Sequence, residues 1–146
     1  MSQSNIDKFD EITGRIFANL YETFPQPITI NFEEYTTSLA TSNDPVDGVI
    51  HNYFERQFVS DSVVWLRDSG YITSVSNDEY SIHGTILTAK GLECLKKVPA
   101  SLDPRPSFGS QLVEAVRGGS LDAVKTLSST VITAGAALTA QHLGFR

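Results

Sequence analysis

A mostly helical α+β fold with a small antiparallel sheet is what this sequence predicts. Three observations carry the expectation. Phe9, Ile12, Ile16, Leu20 and Phe24 recur at spacings of three and four, the period of one helix face. Two β-prone runs, Tyr71–Val75 and Tyr80–Thr88, lie on either side of the turn pair Asn77-Asp78. A proline-rich stretch then separates residues 1–99 from a tail rich in small residues.

The elements follow in order. Ser4 caps the first helix, with Asp7 three residues on in a capping-box-like arrangement, and Pro25 and Pro27 end it. Ile28–Ile30 is a short strand. Asn31 then caps a short helix over Phe32–Leu39. Asp44-Pro45 starts the next helix, with proline in the first turn where its missing N–H costs nothing. Val49, Ile50, Tyr53, Phe54 and Phe58 give that helix an aromatic face. Two outcomes fit the residues beyond it. Ser60 or Asp61 can cap a separate helix, but no glycine or proline forces a break, so one helix from Pro45 to Ser69 fits as well. Gly70 ends the helix in either case, because glycine enters the left-handed conformation without a Cβ penalty. Val63, Leu66, Tyr71 and Ile72 are the expected core. Gly84 marks a bulge in the second long strand. Thr88 caps a helix that turns Leu92 and Leu95 inward with Cys94 nearby, and Pro99 stops it.

Trp65-Leu-Arg-Asp-Ser-Gly-Tyr-Ile72 and Ile86-Leu-Thr-Ala-Lys-Gly-Leu-Glu-Cys-Leu95 resemble the second half of a winged helix-turn-helix domain. Ile28–Ile30 would be the third strand of the winged-helix sheet. The resemblance covers about residues 1–99. It implies a DNA-binding transcriptional regulator, with Ser60, Ser62 and Arg67 on the recognition helix facing double-stranded DNA. The wing tip, Ser76-Asn-Asp-Glu79, departs from the pattern, since a wing lying along DNA normally offers Lys or Arg.

The expected organisation is a winged-helix domain over 1–99, a Pro-rich linker over 100–107, and C-terminal helices over 108–146. Phe108–Val116 forms one tail helix, Gly118-Gly119 interrupts it, and Ser120 recaps a second from Leu121 to about His142. Leu112, Val116, Val124, Leu127, Val131, Ala134 and Leu138 make a single apolar stripe. Pairing with a second copy through this stripe, most simply as a dimer, is the expected outcome; the rival is that the tail folds back over the aromatic face around Tyr53 and Phe54.

Composition narrows the function classes. Residues 1–99 carry seven Lys or Arg against fourteen Asp or Glu, and residues 100–146 carry four against three. An acidic head is poorly suited to sequence-independent attraction to phosphates. Its alternative use is a non-enzymatic module that binds protein and leaves DNA alone. Trp65 is either a core tryptophan or an anchor for a partner. His51, His83, His142 and Cys94 share no metal-ligand spacing, and the sequence has no phosphate loop or nucleophile elbow. No metal, cofactor or enzyme activity is therefore expected. The single cysteine suits a reducing compartment, and no apolar core follows the polar start, so the cytoplasm is the expected location. Leu127–Leu143 lacks formal charge but is short and rich in Ser and Thr, so helix packing is expected rather than membrane insertion.

Overall fold

The structure is a computed structural model that describes residues 4–37, 45–98 and 106–142. Helix α1 spans Asn5–Thr23, strand β1 Ile28–Asn31, and helix α2 Pro45–Asp68. Strands β2 (Ile72–Thr73), β3 (Ser76–Asn77) and β4 (Ser81–Leu87) follow. Helices α3 (Ala89–Lys96), α4 (Phe108–Gly118) and α5 (Leu121–His142) complete the order. The molecule is thus mainly helical with a small antiparallel sheet, as the sequence predicts.

Strand β4 is the centre of that sheet. It pairs with β1 on one side and with β2 and β3 on the other, all antiparallel. The β1 register shifts between Ile28↔Thr85 and Ile30↔Ile82, so β4 carries an extra residue there. Gly84 sits in that bulge at φ +63°, where a Cβ would lie 2.6 Å from Val75 Cγ2. The bulge residue was legible from its type.

Several caps form as expected. Ser4 accepts from the Asp7 amide at 3.1 Å, and Thr88 accepts from the Gly91 amide at 3.0 Å. Gly119 ends α4 in the left-handed conformation at φ +71°. Three boundaries differ. The helix expected over Phe32–Leu39 is a 3-10 turn over Phe32–Tyr35, and residues 38–44 lie outside the described residues. Phe24, expected on the core stripe, is the residue after α1 and is exposed. The tight turn falls one step later than Asn77-Asp78: Asp78 accepts from the Tyr80 and Ser81 amides, while Asn77 belongs to β3. Residues 100–105 of the expected linker, with Pro99 before them, also lie outside the described residues. Its last residue, Ser107, caps α4.

The chief difference is α2. It runs unbroken for 24 residues, roughly 36 Å at 1.5 Å per residue, so Ser60 and Asp61 are mid-helix and cap nothing. Its later part is held by Val59, Val63 and Leu66, all fully buried. Helix α1 is enclosed on more sides than its apolar stripe predicts. Ile12, Ile16 and Leu20 are buried, and so are Glu11, Thr13, Phe17 and Ala18 on its other faces. The tail supplies the extra cover. Leu112, Val124 and Val131 are buried in the same core as α1, with Val116, Leu127, Ala134 and Leu138 packed against it.

Close approach fixes how the tail docks. A Cβ on Gly14 of α1 would meet Val124 Cγ1 at 2.6 Å, and one on Gly109 would meet the Tyr21 ring at the same distance. Gly135 of α5 lies against the Tyr71 ring, whose hydroxyl donates to the Ile132 carbonyl at 2.7 Å. Tyr71 is also within aromatic contact of Phe17 and Trp65, and Lys90 Nζ lies 4.4 Å from its ring centroid. Burial pushes its phenol up to about 12. No helix among the described residues is long and apolar enough to cross a membrane.

Candidate interaction surface

The first third of α2 is the least covered apolar element of the fold. No described side chain from Val46 to Phe54 is buried. Val46, Val49, Ile50, Tyr53 and Phe54 are 65%, 69%, 50%, 44% and 64% exposed. Such an apolar group on one helix is a patch and not a scatter of single residues. The helix is anchored below it. Glu55, nearly buried, holds Lys8 of α1 at 3.0 Å, and the same ammonium lies 4.5 Å from the Phe58 ring centroid. On another side Arg56 stacks on Tyr80 at 5.0 Å, which ties α2 to the β3–β4 hairpin.

Farther along α2, Trp65 is half-exposed. Its ring meets Phe9 edge-on at 5.4 Å and stacks on Tyr71 at 6.2 Å. Shallow, mainly apolar hollows of about 450 and 490 Å³ lie on its two sides. One is lined by Ile6, Phe9 and Phe58, the other by Tyr71, Ile132 and Ala136. Trp65 is therefore neither a core residue nor an isolated surface ring: it forms the wall between two hollows.

Ser60, Ser62 and Arg67 do not form one DNA-reading face. Ser60 and Arg67 are seven residues apart and share a flank of α2. Ser62 is turned inward, and its hydroxyl donates to the Phe58 carbonyl at 2.8 Å, so it has no reach to a base edge. Arg67 Nε lies 3.2 Å from Asp68 Oδ1, an exposed pair worth little to stability. The tip expected to be a wing, residues 76–79, is closed by acidic chemistry. Asp78 accepts from two backbone amides and lies 3.0 Å from His83 Nε2. The His83 ring and those amides hold its carboxyl down at about 2.

The stripe expected to pair two copies is satisfied within one chain. Leu112, Val116, Val124, Leu127, Val131, Ala134 and Leu138 all face the core that contains α1. The tail does not cover Tyr53 and Phe54, whose rings stay exposed. The physical reason is the set of glycines at Gly14, Gly109 and Gly135, which lets α4 and α5 approach the head closely.

The sequence pattern did not single out the outer seam of α2: Val46, Ile50, Tyr53, Gln57, Ser60 and Val64, spaced four and three in alternation. None of the six carries a formal charge, and the first four are exposed. Alternating steps of three and four are the spacing with which one helix meets another along a seam. Among the described residues no three His, Cys, Asp or Glu side chains gather to hold a metal ion. Comparison with protein-family models, with curated proteins and with solved structures finds no match.

Proposed function

We propose that the chain is a non-enzymatic protein-interaction module built on a winged-helix scaffold, engaging another polypeptide through the outer face of α2. The scaffold half of the proposal is supported by element order. Helix α1, strand β1, helix α2, the β2–β4 hairpin and helix α3 follow one another, with β4 between β1 and β2. One long helix stands where the resemblance implies a helix-turn-helix pair.

The observation that carries the interaction half is the character of the face a winged helix would turn to DNA. Apart from Glu55, which faces the head and holds Lys8, helix α2 sets Arg56 and Arg67 against Asp47, Asp61 and Asp68. The hairpin adds Asp78 and Glu79, with no Lys or Arg between Ile72 and Leu87. Neutralising phosphates with Lys and Arg is the main source of sequence-independent DNA affinity, and this face has an excess of the wrong sign. What it offers instead is exposed Val, Ile, Tyr and Phe.

Gel retardation of a random duplex at ~50 mM salt tests this, since electrostatic binding is strongest at low salt. No retardation at ~10 µM protein is expected. Retardation that disappears as salt is raised would refute the module and support a second function, DNA-binding regulation. That second function has one observation in its favour: Arg67 keeps about a third of its side chain exposed, on the helix that precedes the wing. Under it, Arg67→Ala abolishes the retardation.

A further inference from the structure

We propose that the occupant of the α2 face is a second copy of this chain, its α2 laid antiparallel on the first. The inference rests on the protein-interaction reading above and names the partner. A two-fold axis at the level of His51 and Asn52 sets Ile50 against Tyr53 of the other copy, and Val46 against Gln57. All four lie on the seam of α2 that points away from its own core, opposite the buried Val59, Val63 and Leu66. Val49 and Phe54 flank the seam on its two sides and close over it.

Area supports this occupant. From their exposed fractions, the five side chains Val46, Val49, Ile50, Tyr53 and Phe54 offer roughly 500 Å² on each copy, taking aromatic side chains at ~200 Å² and aliphatic ones somewhat less. Two copies then bury about 1,000 Å² of apolar surface, the lower bound of a specific interface. Gln57, exposed and set against Val46 of the other copy, adds to that area.

Charge selects against a foreign partner held by ion pairs. The chain has a formal net charge of −6, and an acidic protein that recruits a basic partner does so through its carboxylates. The seam has none from Val46 to Val64. Its partner is chosen by shape and apolar match, and the same seam turned through a two-fold supplies both. Symmetry also makes the contact closed, so the pair stops at two and does not extend into a filament.

The exposed Ile50, Tyr53 and Gln57 of the seam are not what holds α2 on the head. Its hold on the head is Glu55 with Lys8, then Val59, Ser62, Val63 and Leu66, all on the other side. Exposed positions on the seam can therefore be changed without opening the core.

The test uses the full chain in sedimentation equilibrium from ~1 to ~200 µM. The expected result is a concentration-dependent rise from the 16.0 kDa monomer toward twice that mass. The Ile50→Glu, Tyr53→Glu double variant is expected to remain a monomer throughout, while its thermal melt monitored at low concentration matches the parent. A second variant, Gly135→Val, loosens the tail instead and leaves the α2 pairing in place. A parent chain that is monomeric at ~200 µM overturns the second-copy proposal. So does a dimer that survives the double glutamate variant, since another surface must then hold it. Failure of the interaction reading itself is distinguished by the duplex assay: salt-sensitive DNA retardation overturns that reading whatever the mass of the free protein.

Discussion

Gly135→Ala sets two well-understood effects against each other. Helix propensity alone favours alanine over glycine in a helix by about 1 kcal/mol. Packing opposes it. A Cβ at residue 135 would lie 2.6 Å from Tyr71 Cζ and closer still to Cε1 and Oη. Ordinary carbon contacts are about 3.5–4.0 Å, so ring and helix must separate by roughly 1 Å. The ring is bounded by Phe17, Trp65 and Lys90, and turning it into the hollow beside Trp65 would give up those contacts. Helix α5 must move instead, and the Tyr71 hydroxyl then loses the Ile132 carbonyl. Overpacking costs about 1–3 kcal/mol and the hydrogen bond about 1 kcal/mol, against about 1 kcal/mol gained, for a net loss of about 2 kcal/mol. At this chain length that lowers Tm by about 4–8 °C. Thermal unfolding by circular dichroism measures it. A Tm that rises would mean that propensity prevails and that α5 does not lie on Tyr71 as described.

Two further outcomes follow from the same packing and from the hairpin. Removing residues 106–146 uncovers the Gly14, Phe17 and Ala18 side of α1 together with Tyr71, so the shortened chain should aggregate or bind a hydrophobic dye, read by light scattering and dye fluorescence; a well-behaved, cooperatively folding fragment would show that the head is self-sufficient. Asp78 has its folded pKa lowered from 3.8 to about 2, so the ionised form stabilises the hairpin above pH ~4, and that contribution is lost as the pH falls toward 2. Asp78→Asn should remove this dependence from the hairpin amides of Tyr80 and Ser81 in an NMR titration; an unchanged acid profile would put the carboxylate outside the turn.

Legibility in the sequence followed the locality of the cause. Ser4, Thr88, Gly84 and Gly119 act on their immediate neighbours, and their caps, bulge and left-handed end were readable from residue type and place. Val63, Leu66, Tyr71 and Ile72 were readable as core because helix and strand periods meet at Gly70. Helix α2 was harder. It is apolar on two faces, one around Val59, Val63 and Leu66 and one along Val46, Ile50 and Tyr53, so no single period stands out. Which face meets the core is decided by α1 and by the 3-10 turn Phe32–Tyr35, outside the helix itself. The direction of the tail stripe was likewise not local: the partner surface that accepts Val124 is made by a glycine in α1. Three to four spacing says that a stripe is buried, not what buries it.

Helix α1, at residues 5–23, completes its burial against α4 and α5, which begin roughly a hundred residues later. The consequence is kinetic. Most helical proteins fold fast because neighbours in sequence are neighbours in space, whereas here the central helix is closed by elements roughly a hundred residues farther along the chain. A chain growing from the ribosome can form α1 and the hairpin early, but the Gly14, Phe17 and Ala18 side of α1 waits uncovered until α5 has emerged. Synthesis rate and chaperone access during that interval, rather than final stability, then set how much of the protein reaches its native state.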